Sequence, residues 1–171
     1  MLESGKWDAA LDAFDSVLKL DDTKKQYWLW RGVTNFERRK WAEVIQDASE
    51  AIAFDPKFED AYAYRGFSRF FLDDIAGALE DFEKVQCTQK SQSSLAWYRA
   101  HANESFGQWR KAIRDYLLAY ELDASNVAAG IGLARLQACC PDASLRKRAA
   151  RVEQYHHEIP FRLVASLKAH E

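Results

Sequence analysis

The sequence predicts an all-α fold of antiparallel helix pairs stacked into a solenoid, and two observations lead to this prediction. First, residue types recur every 34 residues without a gap, which gives three complete units at 25–58, 59–92 and 93–126. Second, the 171-residue chain is 48% hydrophobic and contains seven Gly and three Pro, a composition typical of a folded helical protein. Each repeated helix pair is expected to bury its apolar face against the next pair.

The period is clearest in one arginine and one aspartate per unit, 16 residues apart: Arg31 with Asp47, Arg65 with Asp81, and Arg99 with Asp115. In a helical hairpin, these two positions lie on different helices. We therefore predict a repeated ion pair, within a unit or between neighbours, in which the guanidinium fork fixes the helix register. The alternative is a ladder of arginines that binds an acidic ligand.

Each unit is predicted to hold two helices joined by a tight turn. The second helices carry one apolar stripe at spacings of three and four residues, and the Asp55-Pro56 pair is predicted to end the first of them. The first helices have two apolar faces, so each either lies between two neighbours or leaves one face for a ligand. The stripe of the middle unit is Ile75, Ala78, Leu79, Phe82 and Val85, and that of the last unit is Trp109, Ala112, Ile113, Tyr116 and Ala119.

With these features the chain resembles the tetratricopeptide-repeat (TPR) family over residues 1–140. The family pattern places an aromatic residue four positions before a Gly or Ala, here at Trp28 and Gly32 and at Tyr62 and Gly66, and Ala96 and Ala100 occupy the same two positions of the third unit. The chain departs from the pattern at Asn35, Arg69 and Asn103, which stand where an aromatic residue is usual. The resemblance implies a right-handed superhelical solenoid of antiparallel helix pairs, with partial repeats at both ends.

On this basis residues 1–171 are predicted to form a single TPR domain. Residues 1–24 are a partial repeat that lacks its first helix, and 127–171 hold a further first helix, at about 126–139, followed by a capping helix to about His157. Residues 159–167 either cap the array or fill a groove. The missing first helix predicts a fragment of a longer chain or an end that meets a partner, and self-association through this N-terminal helix follows as a possible mode of assembly.

In the resembled family, the first helices line a concave surface on which peptides bind. The resemblance places a mostly aromatic groove on the first helices, and aromatic side chains give large contact areas at low entropic cost. We expect a protein or peptide partner with apolar or aromatic side chains, although several of these residues have the alternative of packing between helices. The predicted binding residues are Leu29, Trp30, Val33, Phe36, Ala63, Tyr64, Phe67, Phe71, Trp97, Tyr98, His101 and Glu104, with Phe70, Ile131 and Arg135 beside them.

Some members of that family hold the carboxylate of a chaperone tail in a clamp of Lys, Asn and Arg side chains. The resemblance places the corresponding positions at Leu29, Val33, Tyr64, Ser94 and Tyr98, where the chain has neither a cation nor an amide. A chaperone tail is therefore not the expected ligand. A structural spacer within a larger protein is the alternative to an adaptor.

Catalysis is not expected. The histidines at 101, 156, 157 and 170 have no metal-ligand spacing with Cys or acidic residues, and the glycines form no phosphate-binding loop. We therefore predict no enzyme, no metal and no cofactor. The net charge of −2 argues against a nucleic-acid or anionic-membrane surface. The basic cluster Arg146, Lys147, Arg148 and Arg151 is predicted to be a solvated helix face, with a phosphate or acidic-partner site as the alternative.

The three cysteines are predicted to be small buried side chains in a reducing compartment. Cys87, Cys139 and Cys140 have no metal-ligand spacing, and a redox role is the alternative. The sequence shows no signal peptide and no apolar run of membrane-spanning length. The cytoplasm is therefore the expected location.

Overall fold

The structure, a computed structural model, describes residues 4–146, and the regular structure in this range is helical. The all-α fold of helix pairs is confirmed. Eight α-helices lie wholly within the described range, and helical residues 143–146 follow at its end. The eight are α1 Ser4–Leu20, α2 Lys25–Glu37, α3 Trp41–Phe54, α4 Glu59–Phe71, α5 Ile75–Phe82, α6 Ser93–Ser105, α7 Trp109–Leu122 and α8 Val127–Cys139, and a short 3₁₀ helix covers Lys90–Gln92.

The chain divides into two compact units after Gln86. In the first unit, each helix from α1 to α5 packs against the next, and α2 also contacts α4. In the second unit, α6 packs against α7, α7 against α8, and α6 also contacts α8. Within each unit, a helix therefore contacts both its hairpin partner and a helix of the neighbouring repeat. The single domain over 1–171 stays a prediction.

The turns between paired helices repeat with the sequence. One residue per turn has a left-handed backbone: Arg39 at φ 59°, Asp73 at φ 65° and Gly107 at φ 67°. The N–H of the following residue donates to a carbonyl five residues earlier, from Lys40 to Asn35, Asp74 to Arg69, and Gln108 to Asn103, at 2.8–2.9 Å. The backbone therefore keeps the same period as the side chains.

The predicted apolar stripes of the second helices form the core. Ala78, Phe82, Ala112, Tyr116 and Ala119 are fully buried. Close approach between paired helices depends on glycine at one position, because a Cβ on Gly66 would lie 2.7 Å from the ring of Phe82. This distance explains the Gly of the repeat pattern in physical terms.

Helix α5 is shorter than the apolar stripe predicted. It ends at Phe82, and Lys84 and Val85 donate backbone hydrogen bonds only three residues back, which tightens the chain out of the α-helix. The N–H of Gln86 then donates to the carboxylate of Glu59 at 3.0 Å. Val85 lies beyond the helix but is still buried.

The cysteines differ from one another. Cys140 is buried as predicted and Cys87 is half-buried, and all three thiols are free. The prediction is wrong for Cys139, which is exposed because its position on α8 points its side chain away from the core, and its thiol donates to the carbonyl of Arg135.

Several predictions at the C-terminus lie outside the described residues. These are the capping helix beyond Arg146, the basic residues Lys147, Arg148 and Arg151, and the segment 159–167. Among the helices that are described, none has both the length and the apolar character needed to cross a membrane.

Candidate functional site

The predicted ion pair is present in each complete repeat. The aspartates are almost fully buried, at 2%, 2% and 0% exposure for Asp47, Asp81 and Asp115. The arginine-to-carboxylate distances are 2.6 Å for Arg31–Asp47, 2.7 Å for Arg65–Asp81 and 2.9 Å for Arg99–Asp115. The prediction of one ion pair per complete repeat is therefore confirmed, and each pair joins the two helices of its repeat.

A third side chain completes each pair, and sequence analysis missed it. Asn35, Arg69 and Asn103 donate to the carboxylates of Asp47, Asp81 and Asp115 at 3.4, 2.9 and 3.1 Å. These are the positions where the chain departs from the aromatic residue of the family pattern. The departure has a physical reason, because a buried carboxylate requires several donors. Asn35, Arg69 and Asn103 recur every 34 residues, as the aspartates do, and this shared period could have identified them as partners of the aspartates.

Two of the arginines also reach the preceding repeat. Nη1 of Arg31 donates to Asp15 of α1 at 2.6 Å, and Nη1 of Arg65 donates to Ser49 of α3 at 3.1 Å. The hydrogen bond to its aspartate raises the pKa of each arginine, so both guanidinium groups stay charged. Each therefore links three helices within the first unit.

The first unit also carries an aromatic cluster, defined as Phe36, Trp41, Tyr64, Phe67 and Phe71. Phe36 lies at its centre, with ring centroids 5.3 Å from Tyr64, 6.2 Å from Phe67 and 6.3 Å from Phe71. Trp41 stacks on Phe71 at 4.6 Å and meets Phe36 edge-on at 5.0 Å. Four members are predicted binding residues, and Trp41 is an addition from the second helix.

The aromatic cluster borders an open pocket of about 530 Å³. Its lining is Phe36, Glu37, Arg39, Trp41 and Phe71. Phe71 is 44% exposed at the edge of this pocket. Phe67 instead packs against Phe82 at 5.4 Å, toward the core.

The other predicted binding residues of the first unit have different environments. Leu29 is 6% exposed and belongs to the core formed with Ala48, Ala51 and Ala61, against which Val33 also packs. Trp30 is half-exposed and contacts the rings of Phe14 and Tyr27 at 6.4 and 5.7 Å. Ala63 is partly buried on α4.

In the second unit, α6 presents Trp97, Tyr98, His101 and Glu104. The Trp97 ring lies 4.8 Å from Tyr98 and 5.7 Å from His101. Glu104 lies one turn further along the helix and is not aromatic. The surface of this unit is therefore aromatic at one end and charged at the other.

Glu104, Tyr116 and Arg135 form a polar cluster at that charged end. The Tyr116 hydroxyl donates to Oε2 of Glu104 at 2.8 Å. Nη2 of Arg135 donates to the same oxygen at 2.6 Å and to the tyrosine oxygen at 3.2 Å. Burial, together with the hydrogen bond to Glu104, raises the pKa of Tyr116, so the phenol stays protonated.

Within residues 4–146, no group of three or more His, Cys, Asp or Glu side chains is arranged to hold a metal ion. The predicted binding residues fall into two sets, one in each unit.

No protein-family profile matches the chain. Among curated proteins, it is 34% identical over 83 residues to RNA polymerase II-associated protein 3 of Xenopus tropicalis. That alignment covers 48% of this chain and 13% of the relative, so the chain spans a small part of the relative's length.

Solved structures share the fold at low sequence identity. A crystal structure of MamA has a TM-score of 0.68 and 19% identity, covering 86% of this chain and 84% of MamA. YrrB, described as a TPR protein with an unusual peptide-binding site, has a TM-score of 0.67 and 14% identity over 90% of this chain and 81% of its own. The first TPR of Spaghetti (RPAP3), bound to the HSP90 peptide SRMEEVD, has a TM-score of 0.59 and 22% identity, covering 68% of this chain and 92% of that one.

Proposed function

Since the chain has the tetratricopeptide-repeat fold, we propose that it is an interaction module that binds a peptide or an extended segment of a partner protein on its first helices. The partner is expected to contribute apolar or aromatic side chains. No catalytic step is part of this proposal. Two of the similar structures are described as peptide-binding proteins, which supports the class of function.

The aromatic cluster is the observation that carries this proposal. Phe71 keeps 44% of its surface exposed while it stacks on Trp41, and the adjoining pocket is open. An exposed ring held in one orientation by other rings gives contact area without a large loss of side-chain entropy on binding. Such rigid aromatic positions are typical of binding hot spots.

The clamp that holds a chaperone tail is not part of the proposal. At two of its positions this chain has Leu29, which is 6% exposed, and Val33, which is partly buried. Neither can donate a hydrogen bond to a carboxylate. We therefore propose a ligand that the aromatic side chains bind, although the related Spaghetti domain binds an HSP90 peptide.

The proposal is tested by selecting binders from a random peptide library against the full chain and resynthesising the enriched peptides. Their affinities are then measured for the wild type and for Phe71→Ala and Trp30→Ala. Truncation of a hot-spot ring costs about 2 kcal/mol, so we expect a loss of roughly tenfold or more.

Phe54→Ala is the matched control. Phe54 is 46% exposed, close to the 44% of Phe71, but it lies on α3, a second helix. We expect Phe54→Ala to bind as the wild type does. Enrichment of no peptide, or an equal loss in Phe54→Ala, would contradict the proposal.

Self-association is a second candidate, and Leu20 favours it. This apolar side chain is 88% exposed at the end of α1, the helix through which the sequence predicts self-association. Light scattering on the wild type and on Leu20→Glu would decide. A dimer that Leu20→Glu dissociates supports self-association, and a monomer in both cases rejects it.

A further inference from the structure

Resting on self-association, the second candidate function, we propose that the loop after α1 of one copy docks into a pocket on α7 of a second copy. We call Leu20, Asp21 and Asp22 the α1 loop. The pocket on α7 has a volume of about 510 Å³, and we call it the α7 pocket. It lies on a second helix, so the first-helix surfaces proposed for a peptide stay available in the assembly.

The floor of the α7 pocket is apolar because the series of arginine–aspartate pairs ends at α7. One and two periods further back than position 83, the repeat position of Leu117 holds Ser49 and Asp15, and each accepts a hydrogen bond from an arginine of the following helix. On α8 the position of that arginine holds Leu133, which is 4% exposed and has no side-chain donor. Leu117 therefore packs against an apolar cluster instead of accepting a hydrogen bond. The apolar lining of the pocket is Ile113, Leu117, Leu118 and Leu145.

The rim of the α7 pocket is basic. Arg114, with a side chain 68% exposed, takes the repeat position that Asp12 holds in α1 and Glu80 holds in α5. Its Nε lies 3.3 Å from Asp115, but that buried carboxylate is already paired with Arg99. The pocket therefore suits an apolar side chain flanked by negative charge. The charged residues of the rim are Arg110, Lys111, Arg114 and Glu121.

The α1 loop has the complementary chemistry. Among the described residues, Leu20 is the most exposed large apolar side chain, at 88%. Two carboxylates follow it, and hydrogen bonds from Thr23 lower the pKa of Asp21, so this group stays ionised. The indole N–H of Trp28 donates to the carbonyl of Asp22 at 2.7 Å. The loop is therefore held in position before a partner arrives, which lowers the entropic cost of docking.

The charges of the two units favour a second copy as the occupant of the α7 pocket. The first unit, 1–86, has 12 Lys and Arg against 18 Asp and Glu, a net charge of −6. The second unit, 87–171, has 12 against 8, a net charge of +4. Opposite charges attract the first unit of one copy to the second unit of another. The chain's own residues 147–171 carry five Lys and Arg against three Asp and Glu, so they do not complement the basic rim.

This contact joins two different surfaces, so every copy carries one α1 loop and one α7 pocket. Two variants that have each lost a different half of the contact can therefore still bind each other through the half that each retains. Self-association of one α1 helix with another would not allow such a mixed complex, because both partners would need an intact α1.

Sedimentation velocity on the full chain, over a range of concentrations, tests the proposal. The wild type should associate, and added salt should weaken the association. Leu20→Glu damages the α1 loop and Arg110→Glu reverses a charge on the rim, so each should raise the dissociation constant about tenfold or more. A mixture of these two variants should form a complex with a dissociation constant close to that of the wild type.

Two matched controls accompany these variants. Leu72 is also followed by two aspartates and is 51% exposed, but Asp74 accepts a hydrogen bond from the N–H of Gly77 and caps α5. Lys90 is an exposed cation of the second unit, outside the α7 pocket, with a side chain 73% exposed. Leu72→Glu and Lys90→Glu should both associate as the wild type does, and thermal melts establish that every variant is folded.

The outcomes separate this proposal from self-association in general. Full association of Arg110→Glu, equal losses in the two control variants, or no complex in the mixture would overturn the docking of the α1 loop on α7 and leave self-association standing. Full association of Leu20→Glu would overturn both. A wild type that stays monomeric would also overturn both, and would leave the α7 pocket to residues 147–171 or to an acidic partner protein.

Discussion

The guanidinium of Arg65 lies 2.7 Å from the carboxylate of Asp81, on the neighbouring helix of the same repeat. Arg65 also contacts Ser49 of the preceding repeat, and its guanidinium lies over the ring of Tyr62 at 5.4 Å. Arg31 repeats the arrangement with Asp47, Asp15 and the Trp28 ring. In each of these two repeats, the aromatic residue near its start, Trp28 or Tyr62, therefore packs on the arginine that contacts the preceding repeat.

Removal of Arg65 should destabilise the first unit substantially. Arg65→Ala leaves the Asp81 carboxylate, 2% exposed, with Arg69 as its remaining cation. Loss of one member of a buried ion pair costs roughly 3–5 kcal/mol, and the presence of Arg69 places our expectation near 3 kcal/mol. Urea unfolding followed by circular dichroism measures this cost.

Arg38→Ala is the control for that measurement. Arg38 pairs with Asp8, whose side chain is 58% exposed, and such surface pairs contribute about 1 kcal/mol or less. An unfolding midpoint for Arg65→Ala equal to that of Arg38→Ala would reject the structural role of the ladder.

Ser49→Asp should stabilise the first unit. Ser49 lies one period after Asp15, and each accepts a hydrogen bond from Nη1 of its arginine, at 3.1 Å for Ser49 and 2.6 Å for Asp15. A carboxylate at position 49 would give Arg65 the second anionic partner that Arg31 already has. We expect a gain of about 0.5–1 kcal/mol in the free energy of unfolding.

Ser49→Asn tests whether charge is the cause. Asn has the size of Asp without its charge, so the gain should be absent or much smaller. Added salt should also reduce the gain in Ser49→Asp, because it screens a partly exposed pair. A gain that is equal for Asp and Asn would contradict the electrostatic explanation.

The period and the apolar stripes could be predicted from the sequence because they depend on residues at fixed spacing. The ion pairs were also predictable, since Arg31 and Asp47 recur together in three units. The role of Asn35 as a donor to Asp47 was not predicted, because Asn35 stands where the family pattern has an aromatic residue. Its 34-residue period nevertheless matches that of Asp47.

The candidate site was predictable in its composition but not in its exposure. The position of a residue in a helix predicts the helix face on which it lies. The packing of neighbouring helices decides how much of its side chain stays accessible to solvent. Leu29 and Trp30 are adjacent in sequence, yet they are 6% and 50% exposed. The polar cluster of Glu104, Tyr116 and Arg135 requires contacts between α6, α7 and α8, which no local pattern contains.

Glycine at the first two turns should stabilise the fold. Arg39 and Asp73 have φ values of 59° and 65°, while the third turn has Gly107 at φ 67°. A left-handed backbone costs a residue with a side chain about 1 kcal/mol more than glycine. Arg39→Gly and Asp73→Gly are each expected to raise the melting temperature by a few degrees.

Arg38→Gly, measured relative to Arg38→Ala, provides the comparison, because both variants remove the pair with Asp8 and Arg38 has φ −87°, where glycine relieves no strain. There the added freedom of the unfolded chain should lower the melting temperature. Equal effects at positions 38 and 39 would mean that turn strain does not contribute to stability.

Alanine at Gly132 and at Gly130 should have opposite effects, although both glycines are buried on α8. A Cβ on Gly132 would lie 2.5 Å from the fully buried Tyr116 ring, so one of the two must shift, and Gly132→Ala should cost about 1–3 kcal/mol. A Cβ on Gly130 meets nothing within 4 Å, and Gly130→Ala should add about 0.5–1 kcal/mol through helix propensity. Thermal melts of the two variants check both effects, and a stabilising Gly132→Ala would contradict close packing of the Tyr116 ring against α8.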